Sequence, residues 1–253
     1  MESIGRIKEK LKEASYEQLP ALLLECREDG RAGVAKLVGQ YEKKLSGYKE
    51  ELLRLEAMHA YENQYQMVSY VCGIDEAGRG PLAGPVVAGA VILPKDDGIL
   101  YLNDSKKLSG KMRDVLYDEI YEKAAAVGVG IVSQEIIDEI NILNATYQAM
   151  REAVAKLSVT PDVLLNDAVT IPELKIPQVP IIKGDQKSVS IAAASIIAKV
   201  TRDRLMTEYA REYPGYGFEK HKGYGTKDHY EAIQKLGLCR LHRKTFLKDY
   251  VTD

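Results

Sequence analysis

The sequence predicts an α/β fold with a mixed sheet, led by a helical amino-terminal extension, and three observations carry that reading. Two apolar, β-prone runs, residues 70–74 and 86–93, are joined by a loop too short for a parallel crossover, so they are expected to pair antiparallel. Further short apolar runs then alternate with helical stretches, the order that builds a sheet covered by helices. The residues before 69, in contrast, repeat apolar side chains at spacings of three and four among dense charge. At 253 residues and 45% hydrophobic content, the chain can bury a sizeable core and is too apolar for wholesale disorder.

Taken in order, Ile4, Ile7 and Leu11 mark a first helix. Ser15 and Gln18 have capping-box spacing and open a second helix through Leu22, Leu23 and Leu24. After a break at Asp29 and Gly30, a longer helix is predicted over 31–62, with Val38, Tyr41, Leu45, Tyr48, Leu52 and Leu55 as a heptad-like stripe. No catalytic constellation falls here, so 1–68 reads as a helical accessory region and 69–253 as the domain that carries chemistry. There the two paired strands come first. A polar loop over 103–109 then leads into a helix through Met112, Leu116, Ile120 and Tyr121. Residues 126–133 read as a third strand weakened by Gly128 and Gly130. A short helix after Gln134 and another over 143–157 follow. The fourth strand, 162–167, ends on a carboxylate, and an irregular proline-spaced stretch leads to a short last strand over 179–182. The strongest helix, 188–212, is stopped by Pro214, and a polar loop over 215–225 precedes a final helix over 226–236.

The net charge of −2 hides an asymmetry: residues 183–248 hold fourteen Lys/Arg against seven Asp/Glu, a pattern that suits a polyanion-binding face. Cys26, Cys72 and Cys239 form no CxxC pair, which argues against a disulfide framework or a zinc site and fits a reducing, cytoplasmic setting. The charged first fourteen residues do not read as a signal peptide, and no apolar run reaches membrane-spanning length. His59, His221, His229 and His242 show no metal-ligand spacing and are expected to be solvated or structural. P-loop, dinucleotide-binding and nucleophile-elbow signatures are absent.

The candidate chemistry sits where the first strand ends. Asp75 and Glu76 place two carboxylates there, and glycines around Arg79 make a turn whose backbone can closely approach an anion. Adjacent acids at a strand end are most often merely solvated; their conjunction with Gly78, Arg79 and Gly80 in one connection marks a site. Asp167 and Asp185 also stand at element ends, where a turn residue or a helix-dipole partner is the ordinary reading. Hard divalent cations take oxygen ligands, and two of them about 4 Å apart hold the attacking and leaving oxygens of a displacement at phosphorus. Spacing alone does not bring the four acids together.

The run from Gly73 to Pro85, GIDEAGRGPLAGP, is very similar to the signature of the type 2 ribonucleases H, in particular the bacterial ribonuclease HII branch. Similarity continues in KGDQKSVSIAAASIIAKVTRDR, from Lys183, and in HKGYGT, from His221, and covers about residues 70–248. It implies a ribonuclease H-like core in which Asp75, Glu76, Asp167 and Asp185 bind two divalent ions, magnesium or manganese. It further implies that Gly78, Arg79 and Gly80 contact a ribose 2′-hydroxyl and that Tyr224 packs on the adjoining sugar. Lys106, Lys107, Lys187, Lys199 and Arg202 are candidate phosphate contacts. One departure is local: relatives often carry glycine after the third acid, and Ala168 stands there in this chain. The implied activity is metal-dependent hydrolysis of the RNA strand of RNA–DNA hybrids and of single ribonucleotides in duplex DNA, as in ribonucleotide excision repair. Products would end in 3′-hydroxyl and 5′-phosphate, and the enzyme would be a monomer without a membrane partner. The alternatives are the sister ribonuclease HIII type, whose signature lacks the Arg79-type turn, and a non-catalytic hybrid-binding protein.

Overall fold

The computed structural model describes residues 2–248, and the chain divides into two compact units, residues 1–57 and 58–253. In the first, helices α1 (Ile4–Glu13), α2 (Leu19–Arg27) and α3 (Ala32–Met58) enclose Ile7, Leu11, Leu19, Leu23, Val34 and Val38. Ser3 caps α1. Ser15 and Gln18 bond reciprocally: Gln18 N donates to Ser15 Oγ, and Ser15 N donates to Gln18 Oε1. Of the apolar stripe, Val38, Tyr41 and Leu55 are buried, and Leu45 and Tyr48 are half-buried. Leu52 is exposed, and the helix stops at Met58 rather than running to residue 62.

The second unit is built on a five-stranded sheet in the order β3-β2-β1-β4-β5. Its strands are β1 (Val71–Ala77), β2 (Val86–Ile92), β3 (Ala126–Val132), β4 (Val163–Asp167) and β5 (Gln178–Ile181). β1 to β3 form an antiparallel meander, while β4 and β5 run parallel to β1. The sheet is therefore mixed, as the short first connection and the later crossovers require. Helix α4 (Gly110–Lys123) follows the polar loop, capped by Ser109.

Two long helices cover the sheet. α5 (Gln134–Ala155) lies over β2 and β3 and is broken at Asn141, which adopts φ 68°, so the two helices expected there meet at a kink. Gly128 and Gly130 have a packing role in β3. A Cβ on Gly130 would stand 1.8 Å from the Ala149 carbonyl oxygen, so the missing side chains are what let α5 lie directly on the strand. α6 (Val189–Glu212) crosses β1 and β2 on the opposite face, and its first ten residues are buried all round. A helix apolar on every side belongs in an interior.

Past α6 the expected polar loop contains a short helix, α7 (Phe218–His221), missed because four residues carry no periodicity. Phe218 anchors it in a small core with Ala83, Met206, Tyr216 and Leu241. α8 (Lys227–Leu236), capped by Thr226, completes the described elements apart from short 3-10 turns. Among the described residues, no helix is long and apolar enough to cross a membrane.

Candidate active site

Sheet register brings the acids together. Ile74 of β1 lies beside Asn166 of β4 in parallel pairing, so the next residues, Asp75 and Asp167, stand side by side. β1 pairs with β2 as far as Ala77, so Asp75 and Glu76 lie within the strand and not at its end as the sequence suggested. Side chains alternate along a strand, so Asp75 shares the face of Gly73, where a Cβ would collide with Ser190 of α6. Asp185 reaches the same place from the 3-10 turn that leads into α6. One oxygen from each of Asp75, Asp167 and Asp185 lies within 4.8 Å of the others. Glu76 stands outside this triad, and its Oε1 pairs with Arg79 Nη1 at 3.4 Å.

The triad is electrostatically strained. Burial, then the charges of Glu76 and Asp167, push the Asp75 carboxyl well above its ordinary range. Burial, then Asp104 and Asp167, lift Asp185 to about 6. Burial raises Glu76 as well, although Arg79 opposes the shift. Carboxylates this close favour either protons or a cation. Lys106 feels all of them: burial disfavours its ammonium, but Asp75, Asp104, Asp185 and Asp167 outweigh that and raise its pKa. The backbone is strained too. Ala168 and Lys183, flanking the acids, take φ 58° and 57°, left-handed conformations unfavourable to residues with a Cβ. The glycine often found after the third acid would suit Ala168's conformation.

Beside the triad runs the turn after β1. Gly78 has φ 96°, and a Cβ there would meet Arg202 Nε at 2.1 Å, so the position demands glycine twice over. Two buried arginines hold this turn from beneath. Arg243 donates to the carbonyls of Gly78, Arg79, Gly84 and Pro85. Arg202 donates to those of Pro85, Ala83 and Lys222. Burial lowers Arg202 to about 10 and, with repulsion from Arg202, Arg243 to about 9. This corrects the sequence expectation for Arg202. Its side chain is 1% exposed and spent on carbonyls, so it shapes the turn and does not reach a phosphate.

Other expected residues lie where a ligand can reach them. Arg79, Gly80 and Tyr224 are exposed, and a Cβ on Gly80 would stand 3.9 Å from Tyr224 Cε1, so the tyrosine borders the turn. Lys199 Nζ lies 5.9 Å from the centre of the Tyr224 ring and bonds Asp203 at 2.7 Å. Lys106, Lys107 and Lys187 are exposed. Asp104, Ser195 and Arg243 escaped the sequence reading. Asp104 is buried beside Asp185, and Ser195 bonds both Asp75 and Ser105. A carboxylate next to Ser105 and Lys106 was a legible hint; a serine inside an apolar helix and an arginine near the chain's end were not.

A mixed five-stranded sheet with carboxylates side by side on adjacent parallel strands, and a glycine-arginine turn beside them, defines a hydrolase of the ribonuclease H-like class. Comparison with known proteins makes this specific. The family Ribonuclease HII matches residues 72–249, and the Ribonuclease HII N-terminal domain matches residues 3–66. Ribonuclease HII of Lachnoclostridium phytofermentans is 60% identical over 221 residues, 87% of each chain. That of Clostridioides difficile is 53% identical over 249 residues, 98% of each. The solved ribonuclease H2 from Pyrococcus horikoshii superposes with a TM-score of 0.58 at 28% identity, over 70% of this chain and 93% of that one. The chain belongs to the ribonuclease HII family and is a nuclease of the ribonuclease H class.

Proposed function

We propose that this enzyme hydrolyses the RNA strand of RNA–DNA hybrids and also cuts on the 5′ side of a single ribonucleotide within duplex DNA. The observation that carries the proposal is the meeting of Asp75, Asp167 and Asp185 on one face of the sheet, beside the turn of Gly78, Arg79 and Gly80. The donor set fits hard divalent cations: all oxygen, mutually repelling and partly buried. Asp75, Asp167 and Asp185, with Glu76 released from Arg79, would hold magnesium or manganese. Ions held there would supply Lewis acidity and lower the pKa of water, and the products would end in 3′-hydroxyl and 5′-phosphate.

The chain's own residues select and orient. Arg243 and Arg202 preorganise the turn from below, so its exposed edge meets a ribose without rearrangement. The 2′-hydroxyl is the group that tells RNA from DNA at one position, and the turn is the part of the site that reads it. Tyr224 packs on the adjoining sugar. Lys106, Lys107, Lys187 and Lys199 meet phosphates, which fix register without reading sequence. One embedded ribonucleotide then contains everything this surface contacts.

The test uses two end-labelled substrates, a duplex with one ribonucleotide and a long hybrid, each in magnesium and in manganese. Cleavage 5′ of the lone ribonucleotide is expected, with Tyr224→Ala impairing that substrate more than the hybrid, where several registers can be sampled. A long hybrid cut while the single-ribonucleotide duplex stays intact in both metals would contradict the junction-reading part and favour the sister type. Neither substrate cut under either metal would favour a binding protein.

A further inference from the structure

Three consecutive carbonyls around Tyr224 are each held by a different element. Arg202 of α6 donates to the Lys222 carbonyl at 2.9 Å, and Leu82 N, from the turn after β1, donates to the Gly223 carbonyl at 2.8 Å. His229 Nδ1 of α8 donates to the Tyr224 carbonyl at 2.9 Å. The anchors hold a strained backbone, with φ 53° at Lys222 and 85° at Gly223. From it projects a ring that is 42% exposed.

The third anchor does not end at His229. In a neutral His229 ring that donates from Nδ1, Nε2 accepts, and it faces His242 Nε2 at 3.1 Å. His242 Nε2 therefore carries a proton, and its Nδ1 accepts from Cys239 N at 2.9 Å. With both rings neutral, this assignment serves the contacts to the Tyr224 carbonyl, between the two rings and from Cys239 N; the 3.2 Å approach of His242 Nδ1 to the Cys239 carbonyl is then left without a proton. Burial favours the neutral rings, lowering His229 to about 4 and His242 below its ordinary value. Phe218 closes its edge on the His229 ring at 5.5 Å. The next residue, Arg243, reaches the other way, to the carbonyls of Gly78 and Arg79. Neighbouring residues thus grip the two halves of the ribonucleotide-reading surface.

We propose that His242, acting through His229, is a positioning residue for Tyr224, and that the segment 239–243 sets the spacing between the tyrosine and the glycine-arginine turn. This rests on the reading of Tyr224 given above. The relay is a strut of neutral imidazoles. It touches neither substrate nor metal.

The test has two parts. Side-chain nitrogen NMR of the intact protein at neutral pH should find His229 protonated on Nδ1 and His242 on Nε2, both uncharged. The opposite tautomers, or a charged ring, would overturn the relay whatever the enzyme cuts. Single-turnover cleavage of the single-ribonucleotide duplex then tests what the relay does. His229→Ala should lower the rate about ten- to a hundredfold, the scale of a small misplacement, whereas His229→Asn, which keeps a donor at the Nδ1 position, should recover most of it. In a double-mutant cycle, His229→Ala should add nothing to Tyr224→Ala. Additive losses, equal on duplex and hybrid, would make the histidines merely structural and overturn the proposal. If His229→Ala fails to fold, as thermal melting would show, the same cycle is run with His242→Gln and His242→Ala, the former keeping a donor toward His229. A Tyr224→Ala variant as active as wild type would instead remove the reading beneath the proposal while leaving the NMR result standing.

Discussion

Arg243 shows how much of this site depends on one side chain. A buried guanidinium usually faces a carboxylate, but its partners here are the carbonyls of Gly78, Arg79, Gly84 and Pro85. Arg243→Ala strands those oxygens in the interior. It should cost about 3 kcal/mol or more in a urea titration, and Arg243→Lys should not recover it, because an ammonium cannot reproduce the fork. Ala168 predicts the opposite sign. Its left-handed φ of 58° suits glycine, so Ala168→Gly should stabilise the fold by about 1 kcal/mol. A lower melting temperature for that variant would mean the strain is relieved locally. In the sequence, the glycines of the turn were legible because their conformation has few other solutions. Arg202 was misread because a basic residue in a basic stretch looks like a phosphate contact, and burial is set by tertiary packing.

Among the elements, the 3-10 turn at Glu62–Tyr65 matters more than its length suggests. Glu62 Oε1 accepts from Ser188 Oγ at 2.5 Å and from Ser190 N at 3.0 Å, capping the buried end of α6 just after Asp185. Glu62 thus supports the same compact unit as the acids, although it falls within the accessory region expected from sequence. We therefore propose that the independent folding unit begins near Met58. A chain starting at Met58 should melt cooperatively, while one starting at Met67 should lose about 1–2 kcal/mol through the missing cap. Circular dichroism melts compare the two, and equal stability would count against the role of Glu62. Strand positions were readable because apolar runs and breakers were sharp. The α3 terminus was not, since Glu62 has the same charged look as the residues of a solvated helix face.

For the molecule as a whole, charge is distributed more subtly than composition suggests. The basic surplus over 183–248 includes Arg202 and Arg243, which are buried, so the surface available to a polyanion is less basic than the count implies. At the acidic end, the folded-state pKa values of Asp75 and Asp185 are raised. Without metal, that contribution to stability is present below their unfolded values and is lost as pH rises through about 6 for Asp185. A bound cation replaces the protons, so the thermal shift produced by magnesium or manganese should be larger at pH 8 than at pH 5.5. A shift independent of pH would place the cation elsewhere. The measurement closest to the central claim is single-turnover cleavage by Asp75→Asn, with hybrid binding followed in parallel by fluorescence anisotropy. The variant loses a ligand charge but keeps the basic face and the turn, so cleavage should vanish in both metals while binding stays near that of wild type. Turnover within about tenfold of wild type, a loss of only about 1.4 kcal/mol in the transition state, would contradict the account.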